Sequence, residues 1–66
     1  MAVAKVIEIT ASSPTSFAEA VKVGIAKASE TVHGIKSAWV SEEHVIVENN
    51  EVTEFRVTMR VTFILD

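Results

Sequence analysis

The 66-residue sequence has no cysteine, two glycines and one proline. Without thiols it forms neither disulfides nor the thiolate sites that bind structural zinc, and only His33 and His44 offer imidazole ligands. Two isolated glycines cannot build a glycine-rich loop for phosphate groups. No serine, histidine and carboxylate stand at the spacing of a known catalytic triad. These absences argue against a metal site built by one chain and against an enzyme.

Long apolar runs and an excess of positive charge are missing as well. No segment reaches the ~18–20 consecutive apolar residues that cross a membrane, and the first residues lack the apolar region of a signal peptide. The net charge of -3 disfavours binding to nucleic acid, whose phosphates would be repelled. We therefore expect a cytoplasmic protein with neither membrane nor nucleic-acid partners.

The chain carries much apolar surface for its size, since 48% of its residues are hydrophobic. We interpret residues 1–66 as a single domain, which has room for one thin core worth only ~3–5 kcal/mol. Chains this small are usually stabilised by disulfides, metals or partner subunits. The first two are absent or poorly supplied here, so the sequence predicts a homo-oligomer.

The first half of the chain predicts a strand followed by a helix. Residues 3–10 are rich in β-branched side chains and read as a strand. Residues 17–32 read as a helix that begins at either Ser13 or Ser16, both of which suit an N-cap, and that ends near Gly34. One apolar stripe recurs at helical spacing along it: Phe17, Val21, Ile25, Ala28 and Val32.

The second half predicts a hairpin of two strands, residues 37–48 and 51–66, joined by a tight turn at residues 49–50. The last strand alternates apolar and polar side chains, whereas the apolar positions of the preceding strand change parity, which predicts a bulge near residues 42–44. The expected fold class is α+β. Its β-α-β-β subunit has a three-stranded antiparallel sheet wrapped over one helix, with the C-terminal strand in the centre.

Trp39 is the residue that points to a function. If Ala38 and Val40 face the helix, Trp39 lies on the outer face of the sheet, where the neighbouring strand offers Arg56, Thr58 and Arg60. A tryptophan beside guanidinium groups is typical of a subunit interface, and it also suits the stacking of a planar ligand whose polar rim an arginine would bind. Both interpretations remain open at this point.

The chain resembles the dodecin family over essentially its whole length. The resemblance rests on residues 6–9, residues 12–14 with Phe17, the lone Trp39, and residues 57–63. It implies that twelve copies form a hollow dodecamer and that flavins (FMN, FAD, riboflavin or lumichrome) bind in pairs at subunit interfaces. It also implies a role in flavin storage and sequestration, as a buffer or in photoprotection, without turnover of substrate. The residues expected at the flavin on this resemblance are Trp39, Arg56, Thr58 and Glu48.

Arg56 departs from the family pattern, because flavin-binding dodecins commonly carry glutamine there. Glutamine both donates and accepts hydrogen bonds, whereas arginine only donates, so Arg56 satisfies the flavin carbonyls but not its N3–H. The alternative to flavin is therefore a dodecin-like assembly that binds cations such as calcium, or another anionic ligand. Glu42, Glu43 and His44 cannot converge within one strand, so a cation would require several copies around a symmetry axis.

Overall fold

A computed structural model describes residues 3–65 of the chain. Its four elements follow one another as β1 (Val3–Ser13), α1 (Phe17–Ala28), β2 (Ile35–Glu48) and β3 (Glu51–Leu65). Asp66, which the sequence assigned to the last strand, lies outside the described residues. The element order confirms the predicted β-α-β-β subunit.

The sheet has the order β1-β3-β2, with both outer strands antiparallel to β3. β1 pairs with β3 along its full length, from Val3 opposite Leu65 to Ser13 opposite Phe55. β3 takes the centre because the helix connects β1 and β2 as parallel strands and the hairpin inserts the last strand between them, antiparallel to both. The predicted three-stranded antiparallel sheet with a central C-terminal strand is confirmed.

β2 is irregular, as its change of parity predicted. Val40 lies opposite Met59 and Glu42 lies opposite Thr58, so Ser41 is the extra residue of a bulge just before the predicted position. The Ser41 hydroxyl donates to the backbone carbonyl of Thr58 at 3.1 Å. Two further register shifts lie near the ends of β2.

The helix begins at Ser16, which resolves the two starts that the sequence left open. Ser16 has an extended backbone, and its Oγ accepts a hydrogen bond from the backbone N–H of Glu19 at 3.0 Å. The Ser13 alternative is wrong, because Ser13 ends β1 and its buried hydroxyl accepts from the N–H of Thr15 instead. That contact closes the turn from strand to helix.

The helix ends at Ala28, so the prediction that it continues to Val32 is wrong. The hydroxyl of Ser29 donates to the carbonyls of Ile25 and Ala26, at 2.6 and 3.3 Å. The next two N–H groups bond three residues back, which tightens the chain out of the α-helix. The N–H of Val32 then bonds to the carbonyl of Ala28 at 2.9 Å, and the β-branched Thr31 and Val32 do not favour a further turn of helix. Gly34 does take positive φ, at 77°, but it serves the entry into β2, where its carbonyl accepts from Ile64.

The core lies between α1 and the two strands on which it packs, β1 and β3. Its fully buried residues are Ala20, Val57, Met59 and Val61. Phe17 meets Phe55 edge to face at one end, with ring centroids 5.2 Å apart. Along β2 only Ile35 and Ile46 are partly covered, whereas Val45 and Val47 are exposed. One subunit therefore leaves the apolar side of β2 open.

Gly24 lets the helix approach the sheet closely. A Cβ at this position would lie 2.7 Å from Met59 Cε and 2.9 Å from Ala11 Cβ. The methionine end can move, but Ala11 Cβ is fixed to the backbone of β1. We expect Gly24→Ala to destabilise the protein, because an overpacking cost of ~1–3 kcal/mol exceeds a gain in helix propensity of ~1 kcal/mol.

Urea unfolding at a fixed subunit concentration measures this effect, with Ala26→Gly, at an exposed position of the same helix, as the control for propensity alone. A Gly24→Ala protein more stable than the native one would show that β1 shifts to admit the methyl group.

Candidate functional site

The face of the sheet turned away from α1 carries the polar side chains. Because Val57, Met59 and Val61 face the helix, the even-numbered residues of β3 between them point outward. The register aligns three rows across the sheet on this outer face: Glu8–Arg60–Trp39, Thr10–Thr58–Glu42 and Ser12–Arg56–His44. Each row takes one residue from β1, one from β3 and one from β2.

Trp39 projects from this outer face at the edge formed by β2. It lies opposite Arg60, while Ala38 and Val40 lie opposite the buried Val61 and Met59. The predicted outward placement of Trp39 is confirmed by this register. Its side chain is 73% exposed, so most of the indole ring is available to a ligand or to another copy.

Arg60 is the direct neighbour of Trp39, although the sequence analysis placed Arg56 in the site. Counting along the hairpin from its two-residue turn identifies this partner, because Glu48 lies opposite Glu51 and the extra residues Ser41 on β2 and Thr53 on β3 cancel before Trp39. The guanidinium of Arg60 is exposed and belongs to the same row. It is therefore the charged group that a ligand stacked on Trp39 meets first within one subunit.

Thr58 occupies the middle row, diagonal to Trp39. Its hydroxyl lies 3.3 Å from the hydroxyl of Thr10 on β1, and its carbonyl accepts the hydrogen bond from Ser41. Paired hydroxyls both donate and accept, so this row offers hydrogen bonds of either sense. The structure thus places Thr58 on the same face as Trp39, one row away, and its role at a ligand stays a prediction.

Arg56 lies in the third row, between Ser12 and His44. It is four positions from Arg60 along β3, about 13 Å at the rise of an extended strand. Its Nε donates to Oε1 of Glu54 at 3.4 Å. Trp39 and Arg56 of one subunit are therefore not adjacent, and one compact ligand contacts both only if another copy contributes one of them.

Glu48 stands furthest from Trp39, at the end of the hairpin. It lies opposite Glu51, beside Asn49 and Asn50, whose φ values of 53° and 64° form the tight turn. Glu51 is nine positions from Arg60 along β3, which corresponds to about 30 Å. The structure does not bring Glu48 to the other predicted site residues within one subunit.

No group of three or more histidine or acidic side chains suited to a metal ion is found among residues 3–65. The register places Glu42 opposite Thr58, on the outer face, and Glu43 opposite Val57, on the helix face. Ligands that point to opposite faces do not converge on one ion. None of the helical segments described is long and apolar enough to span a membrane.

The sequence from residue 3 to residue 66 matches the Dodecin family, so the chain belongs to the dodecin family. Among curated proteins it is similar to the protein named calcium dodecin from Mycobacterium tuberculosis. The two are 33% identical over 63 residues, which are 96% of this chain and 89% of that protein.

Solved structures give the same assignment. The dodecin from Streptomyces davaonensis superposes with a TM-score of 0.95 at 31% identity, over 98% of this chain and 96% of that one. The Mycobacterium tuberculosis calcium dodecin, described as calcium chelating, has a TM-score of 0.85 at 31% identity over 97% and 91% of the two chains. A Thermus thermophilus dodecin variant shares the fold at 24% identity, with a TM-score of 0.94 over 100% and 98%.

Proposed function

We propose that this chain binds and stores flavin in a homododecamer, with the isoalloxazine ring stacked between Trp39 side chains of symmetry-related subunits. The ligand is FMN, FAD, riboflavin or lumichrome, and the role is sequestration in the cytoplasm without turnover. The observation that carries this proposal is the indole of Trp39, 73% exposed on the outer face and opposite Arg60. Membership of the dodecin family supports it.

The chemistry of the outer face suits a flavin. An isoalloxazine is a flat aromatic ring system with carbonyl oxygens along one rim, so it stacks on indole and accepts hydrogen bonds from arginine. Within the same subunit, Arg60 lies opposite Trp39 and supplies hydrogen-bond donors, and Thr58 supplies a hydroxyl in the next row. Arg56 and Glu48 complete the site from neighbouring copies in this proposal, because they lie too far from Trp39 in their own subunit.

The open side of β2 supports assembly. Its exposed Val45 and Val47 are covered if copies pack on one another, which adds burial to the thin core of one subunit. We expect analytical ultracentrifugation at micromolar concentration to show one species of about 86 kDa, twelve subunits of 7.2 kDa. A monomer or dimer under these conditions would contradict the dodecamer and the shared site together.

Flavin content is tested most directly on the purified protein. We expect a yellow preparation whose bound flavin has its absorbance band but little fluorescence, since stacking on tryptophan quenches the excited state. Unfolding the protein should release the fluorescence. A preparation that stays colourless, and that does not quench added riboflavin after unfolding and refolding, would refute flavin binding.

Calcium is the second candidate, because a relative at 33% identity is named calcium dodecin. In this chain Glu48 and Glu51 lie directly opposite each other beside the hairpin turn. A bound cation would reduce the repulsion between these two carboxylates. Copies around a symmetry axis would have to supply the remaining oxygen ligands. Isothermal titration with calcium distinguishes this candidate, and Glu48→Gln should abolish the heat of binding if these carboxylates are ligands.

A further inference from the structure

The outer face holds one ion pair within β3, between Arg56 and Glu54. Arg56 Nε and Glu54 Oε1 are 3.4 Å apart, and the two side chains are 42% and 36% exposed. Residues two apart on a strand share a face, so the pair follows from sequence spacing alone. By contrast, the pair of Lys27 and Glu30 on the helix, at 3.6 Å, is 80% and 62% exposed. Because the pair on β3 is about half-buried, water and salt screen its attraction less than they screen the attraction of the exposed pair on the helix.

This pair changes what Arg56 offers to a ligand. An arginine alone on a surface is a fixed positive charge that attracts phosphates. Here the carboxylate of Glu54 lies on one edge of the guanidinium. At the distance of a ligand in the site, its negative charge largely cancels the positive charge of Arg56. The contact uses Nε, and a guanidinium has two terminal nitrogens besides, whose N–H groups still donate to a carbonyl.

We propose that Glu54 is a specificity-determining positioning residue: it neutralises and orients Arg56, so that the site recognises the carbonyl rim of a neutral flavin and does not select for a phosphate group. This inference rests on the flavin site proposed above. It assigns riboflavin and lumichrome as ligands bound at least as tightly as FMN. Arg56 then acts through hydrogen bonds rather than through net charge.

The test compares FMN with riboflavin, which differ in one phosphate group, in four assembled proteins: native, Glu54→Gln, Arg56→Gln and the double variant. Fluorescence-quenching titrations at low salt and pH 8 give the affinity ratio. Glu54→Gln should shift the ratio toward FMN by about sixfold or more, as expected for the uncompensated charge of Arg56 acting over ~8 Å on a phosphate that carries about two negative charges at pH 8. Arg56→Gln should shift it the opposite way, and the double variant should return it to the native value.

Two controls sharpen the result. Glu30→Gln removes the same charge from the exposed pair on the helix and should leave the ratio unchanged. Raising the salt to 0.5 M should shrink the shifts seen in the single variants, because it shortens the screening length to a few ångströms.

Three outcomes would overturn the inference. A native preference for FMN over riboflavin would contradict the assignment: if Arg56→Gln removes it, Arg56 acts as a free charge, and if it persists in that variant, the exposed Arg60 opposite Trp39 selects the phosphate. A ratio that does not change in Glu54→Gln would show that the carboxylate does not affect the ligand, while the flavin site itself stands. No binding of either flavin to the native protein would refute the flavin site and this inference with it.

Discussion

Trp39→Ala is expected to weaken riboflavin binding by thirtyfold or more while the assembly keeps its size. Each stacking contact between an aromatic side chain and a heterocyclic base contributes roughly 1–3 kcal/mol by alanine substitution, and a flavin held between two copies of Trp39 loses two of them. The combined loss of ~2–6 kcal/mol corresponds to at least a thirtyfold change in Kd. Fluorescence-quenching titration measures it, and sedimentation checks the assembly.

Trp39→Phe provides the matched control, because it keeps an aromatic ring of smaller area at the same position. Its affinity should fall between those of the native and alanine proteins. Suppose instead that Trp39→Ala dissociates into small species. The exposed indole would then be an anchor between subunits, and the flavin site would lose the observation that carries it.

Met59→Ala is expected to lower stability more than any change on the outer face. Met59 is fully buried at the centre of the core, opposite Ile9 on one side and Val40 on the other. Truncating a buried methionine costs ~2–5 kcal/mol, because apolar contacts are lost and a cavity remains. Such a loss is large where residues 3–65 contain four fully buried hydrophobic side chains.

Thermal and urea unfolding at one fixed subunit concentration measure the change, since the stability of an oligomer depends on concentration. Met59→Leu keeps nearly the same volume and should cost less than ~1.5 kcal/mol. If both variants lose the same stability, the cavity is not the cause. Combining Met59→Ala with Gly24→Ala should cost less than the two changes added, because the shorter side chain leaves room for the new methyl group.

The topology of the fold was predictable because one element determines it. The strict alternation of β3 requires a helix on one side and a polar surface on the other, and its turn at Asn49 and Asn50 fixes the hairpin. The end of the helix was not predictable from periodicity. Val32 continues the apolar stripe, but the Ser29 hydroxyl satisfies two carbonyls and ends the helix before that residue. The local hydrogen bonds of Ser29, and not the apolar periodicity, therefore set the end of the helix.

The candidate site was predictable in kind but not in arrangement. The outward direction of Trp39 follows from the residues on either side of it, and the structure agrees. Its neighbour follows from the two-residue turn, because the pairing of Glu48 with Glu51 leads to Trp39 opposite Arg60 and the two register shifts between them cancel. Arg56 was placed in the site on the family resemblance and not from this register. The contact of Arg56 with Glu54 was accessible from spacing alone, since these residues share a face of one strand.

The central position of β3 has a consequence for the order in which the chain folds. β1 and β2 are synthesised first, yet they are not neighbours in the sheet and each pairs only with β3. The hairpin of β2 and β3 closes through a two-residue turn, whereas β1 must join residues as far apart as Val3 and Leu65. Closing the long loop costs more chain entropy and is slower. Nascent chains therefore keep the backbone hydrogen-bonding groups of β1 without a strand partner until β3 has been made, and this interval is when they are most exposed to aggregation.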